Sequence, residues 1–126
     1  MLNNTKFVQK VKLLRGNTFL LIQRSSIDDT NPNMWDLPGG NVERGEDLQG
    51  SLRREVQEET GLIIERADPQ ILTGFMMGEI FVIGAIYSCP SPDGEVVLSD
   101  EHQQYKWVTS DEVGNIDIQP WLKPYL

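Results

Sequence analysis

The sequence predicts an α+β fold in which helices pack against a mixed β-sheet. Two observations predict it. Apolar runs of strand length lie towards both ends of the chain, and one amphipathic helical pattern lies between them. The chain has 126 residues, the length of one ordinary domain, so we expect a single domain over residues 1–126.

Two strands are expected ahead of the helix. Residues 7–14 partly alternate between apolar and polar side chains, and residues 18–23 have a continuous apolar centre. The sequence Arg15-Gly16-Asn17 predicts the turn between them. Residues 25–33 contain Asp, Asn and Pro and are expected to form a loop.

The helix is predicted over residues 47–60. Asp47 is a suitable N-cap, and Gly61 can end the helix. The apolar side is expected to consist of three residues spaced four apart: Leu48, Leu52 and Val56.

After the helix the sequence predicts mainly strands. Residues 71–77 and 80–88 are apolar and flank Gly78-Glu79, which indicates a hairpin. Shorter features are expected further on, namely a turn at 90–94, short strands at 95–98 and 105–108, and a short helix opening at 110–112.

Composition and charge exclude several classes of protein. A formal net charge of −8 repels phosphate backbones, so no nucleic-acid partner is expected. No segment reaches the roughly 18 apolar residues of a membrane span, and Met1 to Lys6 lacks the apolar run of a signal peptide. The single cysteine, Cys89, excludes an internal disulfide. We therefore expect a cytoplasmic protein with no membrane partner.

Three glutamates on the predicted helix indicate a cation site. At about 100° per residue from Leu48, Glu59 lies near 20°, Glu55 near 340° and Glu58 near 280°. This places them on the protein-facing side or its flank, where like charges and the helix dipole both disfavour carboxylates. A divalent cation would remove these costs. The alternative is a solvated acidic face paired with nearby arginines: Arg53, Arg54 and Arg66.

The segment before the helix is a sharp turn, Leu37-Pro38-Gly39-Gly40. Paired glycines allow positive φ and close approach of other groups to the backbone. A carbonyl exposed there could become a metal ligand, since Mg²⁺ prefers oxygen donors.

Together these residues resemble the complete Nudix box. Gly40 is followed after five residues by Glu46 and after seven more by residues 54–62, Arg-Glu-Val-Gln-Glu-Glu-Thr-Gly-Leu, so the motif runs from Gly40 to Leu62. The approach, residues 35–40, also resembles that of the Nudix family. The resemblance implies an α/β/α sandwich around a mixed β-sheet.

The resemblance also implies roles for individual residues. Glu58 and Glu59 match the principal metal ligands, and Glu55 matches a further ligand or the general base. The carbonyl of Gly39 matches a backbone ligand, and Arg54 matches the arginine that orients the glutamates. Arg54 is four residues before Glu58, so on a helix it is expected to reach the Glu58 carboxylate. Glu46 resembles the glutamate between the loop and the helix, which is expected to support the structure or to contact the metal ligands without binding the metal itself. Glu101 resembles an acidic ligand from a later loop, with an ordinary exposed acid as the alternative.

Three residues are candidates for substrate contact: Arg24 and Trp35 outside the box, and Gly40 at its start. A surface ion pair is the alternative for Arg24, and core packing is the alternative for Trp35. His102, the only histidine, is assigned no catalytic role and is expected to make a loop hydrogen bond.

The implied activity is hydrolysis of a phosphoanhydride bond, with Mg²⁺ as cofactor and Mn²⁺ as a substitute. A small nucleotide is the expected substrate, and elimination among family branches favours a nucleoside triphosphate. ADP-ribose or a nucleotide sugar is the alternative substrate. Alternatives of other classes are a nucleotide sensor without catalysis and an acidic interaction module. The oligomeric state stays open, with a homodimer among the options.

Overall fold

A computed structural model describes residues 4–126. Within this range one mixed sheet contains seven strands, and one α-helix, α1 (Leu48–Thr60), lies between the fourth and fifth. The strands are β1 (Thr5–Arg15), β2 (Thr18–Arg24), β3 (Trp35–Asp36), β4 (Gly39–Asn41), β5 (Asp68–Met77), β6 (Ile80–Pro90) and β7 (His102–Val108).

The sheet is centred on β1 and β2. Its main path runs β3-β2-β1-β6-β5, while β4 also pairs with β1 and β7 also pairs with β2. The β1–β6 pairing is parallel, and the other pairings are antiparallel. The α+β class with a mixed sheet is thus confirmed.

Two apolar clusters cover the two faces of the sheet. On one face, Leu52 and Val56 of α1 pack against a cluster that includes Val11 and Leu13 of β1. On the other face, the C-terminal segment brings Ile118 and Leu122 onto Phe19 and Leu21 of β2. Among the residues that the structure describes, no helix has the length and apolarity to cross a membrane.

The ends of α1 follow the sequence prediction. The Asp47 side chain accepts a hydrogen bond from the Gly50 N–H, which satisfies one of the free amides of the first turn. Gly61 has a φ of 73° and ends the helix in the left-handed conformation. The prediction that Leu48 belongs to the apolar, packed side of the helix is wrong, because Leu48 is 43% exposed. The first turn contacts the sheet through a polar group instead, since the Gln9 side chain donates to the Leu48 carbonyl.

Three local predictions need correction or refinement. Residues 95–98 form no strand, because this segment runs past the C-terminal end of α1, where the Val97 N–H donates to the Thr60 carbonyl. The predicted final helix is a 3-10 helix over Ser110–Asn115, followed by a shorter one over Lys123–Tyr125. The short strands β3 and β4 were not predicted; they form because the turn between them is held against β1 and β2.

Candidate active site

The glycine turn is fixed directly against β1. Gly39 pairs with Lys10 in the antiparallel β1–β4 ladder and has a φ of 135°. A Cβ at Gly39 would collide with the backbone of Gln9, so only glycine fits this position. The turn thereby holds its backbone amide and carbonyl in fixed places beside α1.

Glu59 is the most buried of the three glutamates. It is 8% exposed, and its Oε1 accepts a hydrogen bond from the Gly39 N–H at 2.8 Å. Burial raises the pKa of Glu59 to about 8, and this outweighs the opposing influence of the Lys10 ammonium. The helical angle predicted this inward position, and the structure shows a carboxylate that lacks sufficient compensating charge.

Glu55 lies against the second glycine of the turn. A Cβ on Gly40 would lie 2.7 Å from the Glu55 carboxyl carbon, so Gly40 is small where the carboxylate needs space. Partial burial raises the pKa of Glu55, and the neighbouring Arg54 guanidinium opposes this shift. The turn therefore contacts two carboxylates from successive turns of α1.

Arg54 joins the remaining acidic residues of the motif. It forms two hydrogen bonds to Glu46, at 2.8 and 3.1 Å, and its Nη1 lies 3.2 Å from both Glu58 oxygens. Its Nη2 is 3.3 Å from Glu55 Oε1. Hydrogen bonding to Arg54 is the main reason that the pKa of Glu46 falls to about 2. The predicted contact between Arg54 and Glu58 is thus present, and Glu46 anchors the arginine from the preceding loop.

The donor set suits a hard divalent cation, although the side chains do not converge in the conformation described. Among residues 4–126, no three His, Cys, Asp or Glu side chains form a ready-made metal cluster. Glu58 instead faces Arg54 with 57% of its side chain exposed. The available donors are carboxylate and carbonyl oxygens, which Mg²⁺ prefers, and the buried Glu59 carboxylate needs positive charge. The residues present therefore fit such an ion.

Glu101 precedes the residue that begins β7. Its side chain is exposed, and its carbonyl accepts a hydrogen bond from the Ser25 N–H. The next residue, His102, is buried, and its Nε2 lies 4.0 Å from Glu59 Oε2. Glu101 is thus adjacent in the chain to a residue that lies beside Glu59, while its role as a metal ligand stays a prediction.

The His102 side chain does not make the loop hydrogen bond that the sequence predicts. Its Nδ1 is buried and has no hydrogen-bond partner among the described residues. Burial lowers the pKa of His102 to about 4, so the imidazole is neutral at pH 7 and its contact with Glu59 is not an ion pair.

The two larger substrate candidates already have partners in the protein. Arg24 pairs with Asp28 at 2.8 Å and lies 3.6 Å from Asp36. Trp35 packs against the apolar cluster on the C-terminal side of the sheet, and the Lys106 ammonium lies 4.4 Å from its ring centroid. The ion pair expected as the alternative for Arg24 and the core packing expected as the alternative for Trp35 are therefore both present. Contact with a substrate stays a prediction for both residues.

Sequence reasoning missed Lys10 and Asp36. The Lys10 Nζ lies 3.1 Å from Asp36 Oδ2, and both side chains are buried behind the turn. A signal existed, because the adjacent polar residues Gln9 and Lys10 break the alternation of apolar and polar side chains in the first predicted strand. The partner could not be identified from that interruption alone.

Comparison with known proteins identifies the family. The family model of the NUDIX domain matches residues 9–126. Nucleoside triphosphatase NudI of Salmonella paratyphi B is 34% identical over 111 residues, covering 79% of this chain and 79% of that protein. The NudI protein of Escherichia fergusonii is 30% identical over 111 residues, with the same coverage of both chains.

Solved structures agree with this assignment. A MutT protein from Methanosarcina mazei Go1 superposes with a TM-score of 0.82 at 31% identity, covering 96% of this chain and 88% of that one. The E. coli ORF135 protein superposes with a TM-score of 0.80 at 24% identity, covering 96% and 85%, and supports the fold alone. With the intact motif and its folded geometry, these matches show that the chain belongs to the Nudix hydrolase family.

Proposed function

We propose that this protein is a Mg²⁺-dependent pyrophosphohydrolase of nucleoside triphosphates. The observation that carries the proposal is the contact between the glycine turn and α1, where Gly39 and Gly40 lie against Glu59 and Glu55. This contact sets the turn beside a carboxylate that is buried without enough counter-charge. Nudix hydrolases as a family use divalent cations, and the donor chemistry here favours Mg²⁺, with Mn²⁺ as a substitute.

The chain supplies the ligands, the base and their orientation. Glu58, Glu59, Glu101 and the Gly39 carbonyl would hold the ion. When bound, the ion neutralises phosphate oxygens and makes a nearby water easier to deprotonate. Glu55, whose raised pKa favours proton uptake, accepts the proton as the water attacks phosphorus, and the phosphoanhydride bond to the leaving phosphate group breaks. Arg54 holds Glu58 and Glu55 in position.

The substrate assignment rests on the similar proteins and on two candidate contacts in this chain. The similar NudI proteins are named nucleoside triphosphatases, and the match covers most of both chains. Trp35 offers an aromatic surface for a base, and Arg24 offers a guanidinium for a phosphate. These contacts would place the phosphate chain towards the glycine turn, to which Arg24 is linked through Asp36.

Product analysis across a nucleotide panel tests this proposal. Ribo- and deoxynucleoside triphosphates, ADP-ribose and nucleotide sugars are incubated with Mg²⁺ or with EDTA. We expect nucleoside monophosphate and pyrophosphate from triphosphates with Mg²⁺ alone. Hydrolysis in ¹⁸O-labelled water then identifies the phosphorus atom that is attacked. Faster turnover of ADP-ribose or sugar nucleotides would contradict the triphosphate assignment.

Glu58→Gln is the diagnostic variant, and Glu79→Gln is its matched control. Glu58 is the exposed glutamate of the motif, so its replacement should leave folding intact and reduce kcat by about 100-fold or more, as expected for the loss of a ligand of the proposed ion. Glu79 is exposed in the β5–β6 turn, and its variant should keep full activity. Equal activity in the two variants would remove the glutamate site from the mechanism.

Cytoplasmic location and a homodimer stay predictions. Sedimentation at several protein concentrations distinguishes a monomer from a dimer, and fractionation of the native host tests the location.

A further inference from the structure

Lys10 is a buried cation that the proposed chemistry leaves unexplained. Lys10 is only 7% exposed, and a buried lysine almost always needs a partner for its charge. It lies on β1 directly opposite Gly39 in the β1–β4 ladder. Its burial therefore places a positive charge immediately behind the glycine turn.

The ammonium is held by two groups. Its Nζ donates to Asp36 Oδ2 at 3.1 Å and to the Gly39 carbonyl at 3.4 Å. Asp36 is itself fixed, because its Oδ1 accepts the Leu37 N–H at 2.8 Å. Asp36 orients the ammonium, and the ammonium in turn contacts the same carbonyl that the motif assigns to a divalent ion.

Gly39 connects Lys10 to the glutamates through a single residue. Its carbonyl accepts from Lys10, while its N–H donates to Glu59. The Lys10 charge also opposes the burial-induced rise in the pKa of both Glu59 and Glu55. Lys10 thus provides positive charge at the place where the site requires a cation.

We propose that Lys10 is a positioning residue that competes with the divalent ion for the Gly39 carbonyl. Without the ion, its ammonium holds this carbonyl and partly offsets the charge of the glutamates. With the ion, the two like charges repel, so Lys10 weakens divalent binding. The inference rests on the proposed metal site, and it adds that the chain carries its own resident cation there.

Other nearby cations do not fill this position. Arg24 lies 3.6 Å from Asp36 and is engaged by Asp28, and Arg54 faces Glu46 and Glu58 on the outer side of α1. Within residues 4–126, Lys10 is the lysine whose ammonium donates to the glycine turn. Removing its charge should therefore change metal binding without changing the ligand set.

Calorimetric titration of the EDTA-treated and dialysed protein with Mg²⁺ tests the proposal without any turnover. We expect Lys10→Met and Lys10→Gln to bind Mg²⁺ at least about fivefold more tightly than the wild type, because a like charge has been removed. Lys10→Gln keeps a donor for Gly39 and Asp36, so it separates the charge from the hydrogen bond. It also serves if Lys10→Met does not fold.

Lys10→Arg and Lys12→Met are the controls. Lys10→Arg keeps the charge and should bind Mg²⁺ as the wild type does. Lys12 is two residues further along β1, with its ammonium 5.2 Å from the Phe19 ring centroid, so its loss should leave Mg²⁺ affinity unchanged. A purely structural Lys10 would lower the melting temperature of its variants and leave their affinity for Mg²⁺ at the wild-type value.

The two possible failures are distinguishable. Wild-type or weaker Mg²⁺ binding in both Lys10→Met and Lys10→Gln overturns this inference alone. Wild-type protein whose Mg²⁺ binding is absent, or is unaffected by Glu58→Gln, overturns the proposed metal site and this inference with it. Tighter binding in the uncharged variants that disappears when Glu58→Gln is added supports both.

Discussion

At the scale of single residues, the site is defined by a carboxylate that its surroundings leave short of positive charge. Glu59 receives one hydrogen bond from Gly39, while the adjacent His102 is neutral and cannot pair with it as a cation. At pH 7 and without a divalent ion, Glu59 of the folded protein is therefore mainly protonated, because its pKa is about 8. A bound divalent ion would offset the cost of burying the ionised Glu59 carboxylate.

The first prediction concerns the pH dependence of stability in EDTA. Glu59 has a folded pKa of about 8, above its ordinary value of 4.5. Between these values the folded state binds more protons than the unfolded state, so stability falls as pH rises. Glu59→Gln removes this loss and should be more stable than the wild type above pH 8 by on the order of a few kcal/mol. Urea unfolding from pH 5 to 9 measures it, and parallel curves for the two proteins would contradict it.

A second prediction tests the space beside Glu55. Gly40→Ala places a methyl group 2.7 Å from the Glu55 carboxyl carbon and should displace this side chain. We expect kcat/KM to fall by about 10-fold to 100-fold, as for other small displacements of catalytic groups. Gly114→Ala is the control, because Gly114 has nothing within 4 Å of an added Cβ. Equal activity in both variants would show that Glu55 tolerates displacement.

At the scale of elements, α1 presents the motif because both of its ends are fixed. Asp47 caps the first turn, and Gly61 ends the last one. Between them Leu52 and Val56 fix the rotation of the helix against the sheet. This rotation points Glu59 inward and leaves Glu58 on the flank within reach of Arg54.

The third prediction follows from the N-cap. Asp47→Ala removes the acceptor of the Gly50 N–H and should lower the free energy of unfolding by about 1 kcal/mol. Asp47→Asn keeps an acceptor and should stay near the wild type. Denaturant unfolding measures both variants, and kcat per folded molecule should be unchanged because the cap lies at the end of α1 remote from Glu58 and Glu59. A loss of kcat without a loss of stability would place Asp47 in the site.

At the scale of the whole molecule, the net charge opposes the proposed substrate. The chain carries −8, and a nucleoside triphosphate is also strongly anionic. Lys10, Arg24 and Arg54 supply local positive charge, but each is already paired with a carboxylate. Binding should therefore depend on divalent ions as well as on these side chains.

The fourth prediction uses salt to separate the global field from the local site. In EDTA, binding of a non-hydrolysable nucleoside triphosphate should strengthen as salt rises from about 10 to about 150 mM, because screening shortens the reach of the repulsion from about 30 to about 8 Å. Calorimetry or fluorescence titration measures this. If affinity falls with salt instead, the local cations dominate the field that the nucleotide meets.

Particular residues show how far the sequence could predict this site. The inward direction of Glu59 and the contact between Arg54 and Glu58 follow from helical geometry, which depends only on spacing. Leu48 followed the same spacing and was assigned wrongly to the core, because spacing does not report where the sheet beneath the helix turns polar. The strand expected at residues 95–98 was wrong for a similar reason, since its position beside α1 is a tertiary contact.

The sequence alone determined the family motif, the caps of α1 and the side of the helix on which each glutamate lies, since these depend on neighbours within a few residues. Only the tertiary structure determined the Lys10–Asp36 pair, the fit of Gly39 against β1 and the position of His102 beside Glu59. Each of these joins segments distant in the chain, and their contact depends on strand order and register, which local spacing does not encode. The ligand types were therefore readable from the sequence, while the charges that surround them were set by the fold.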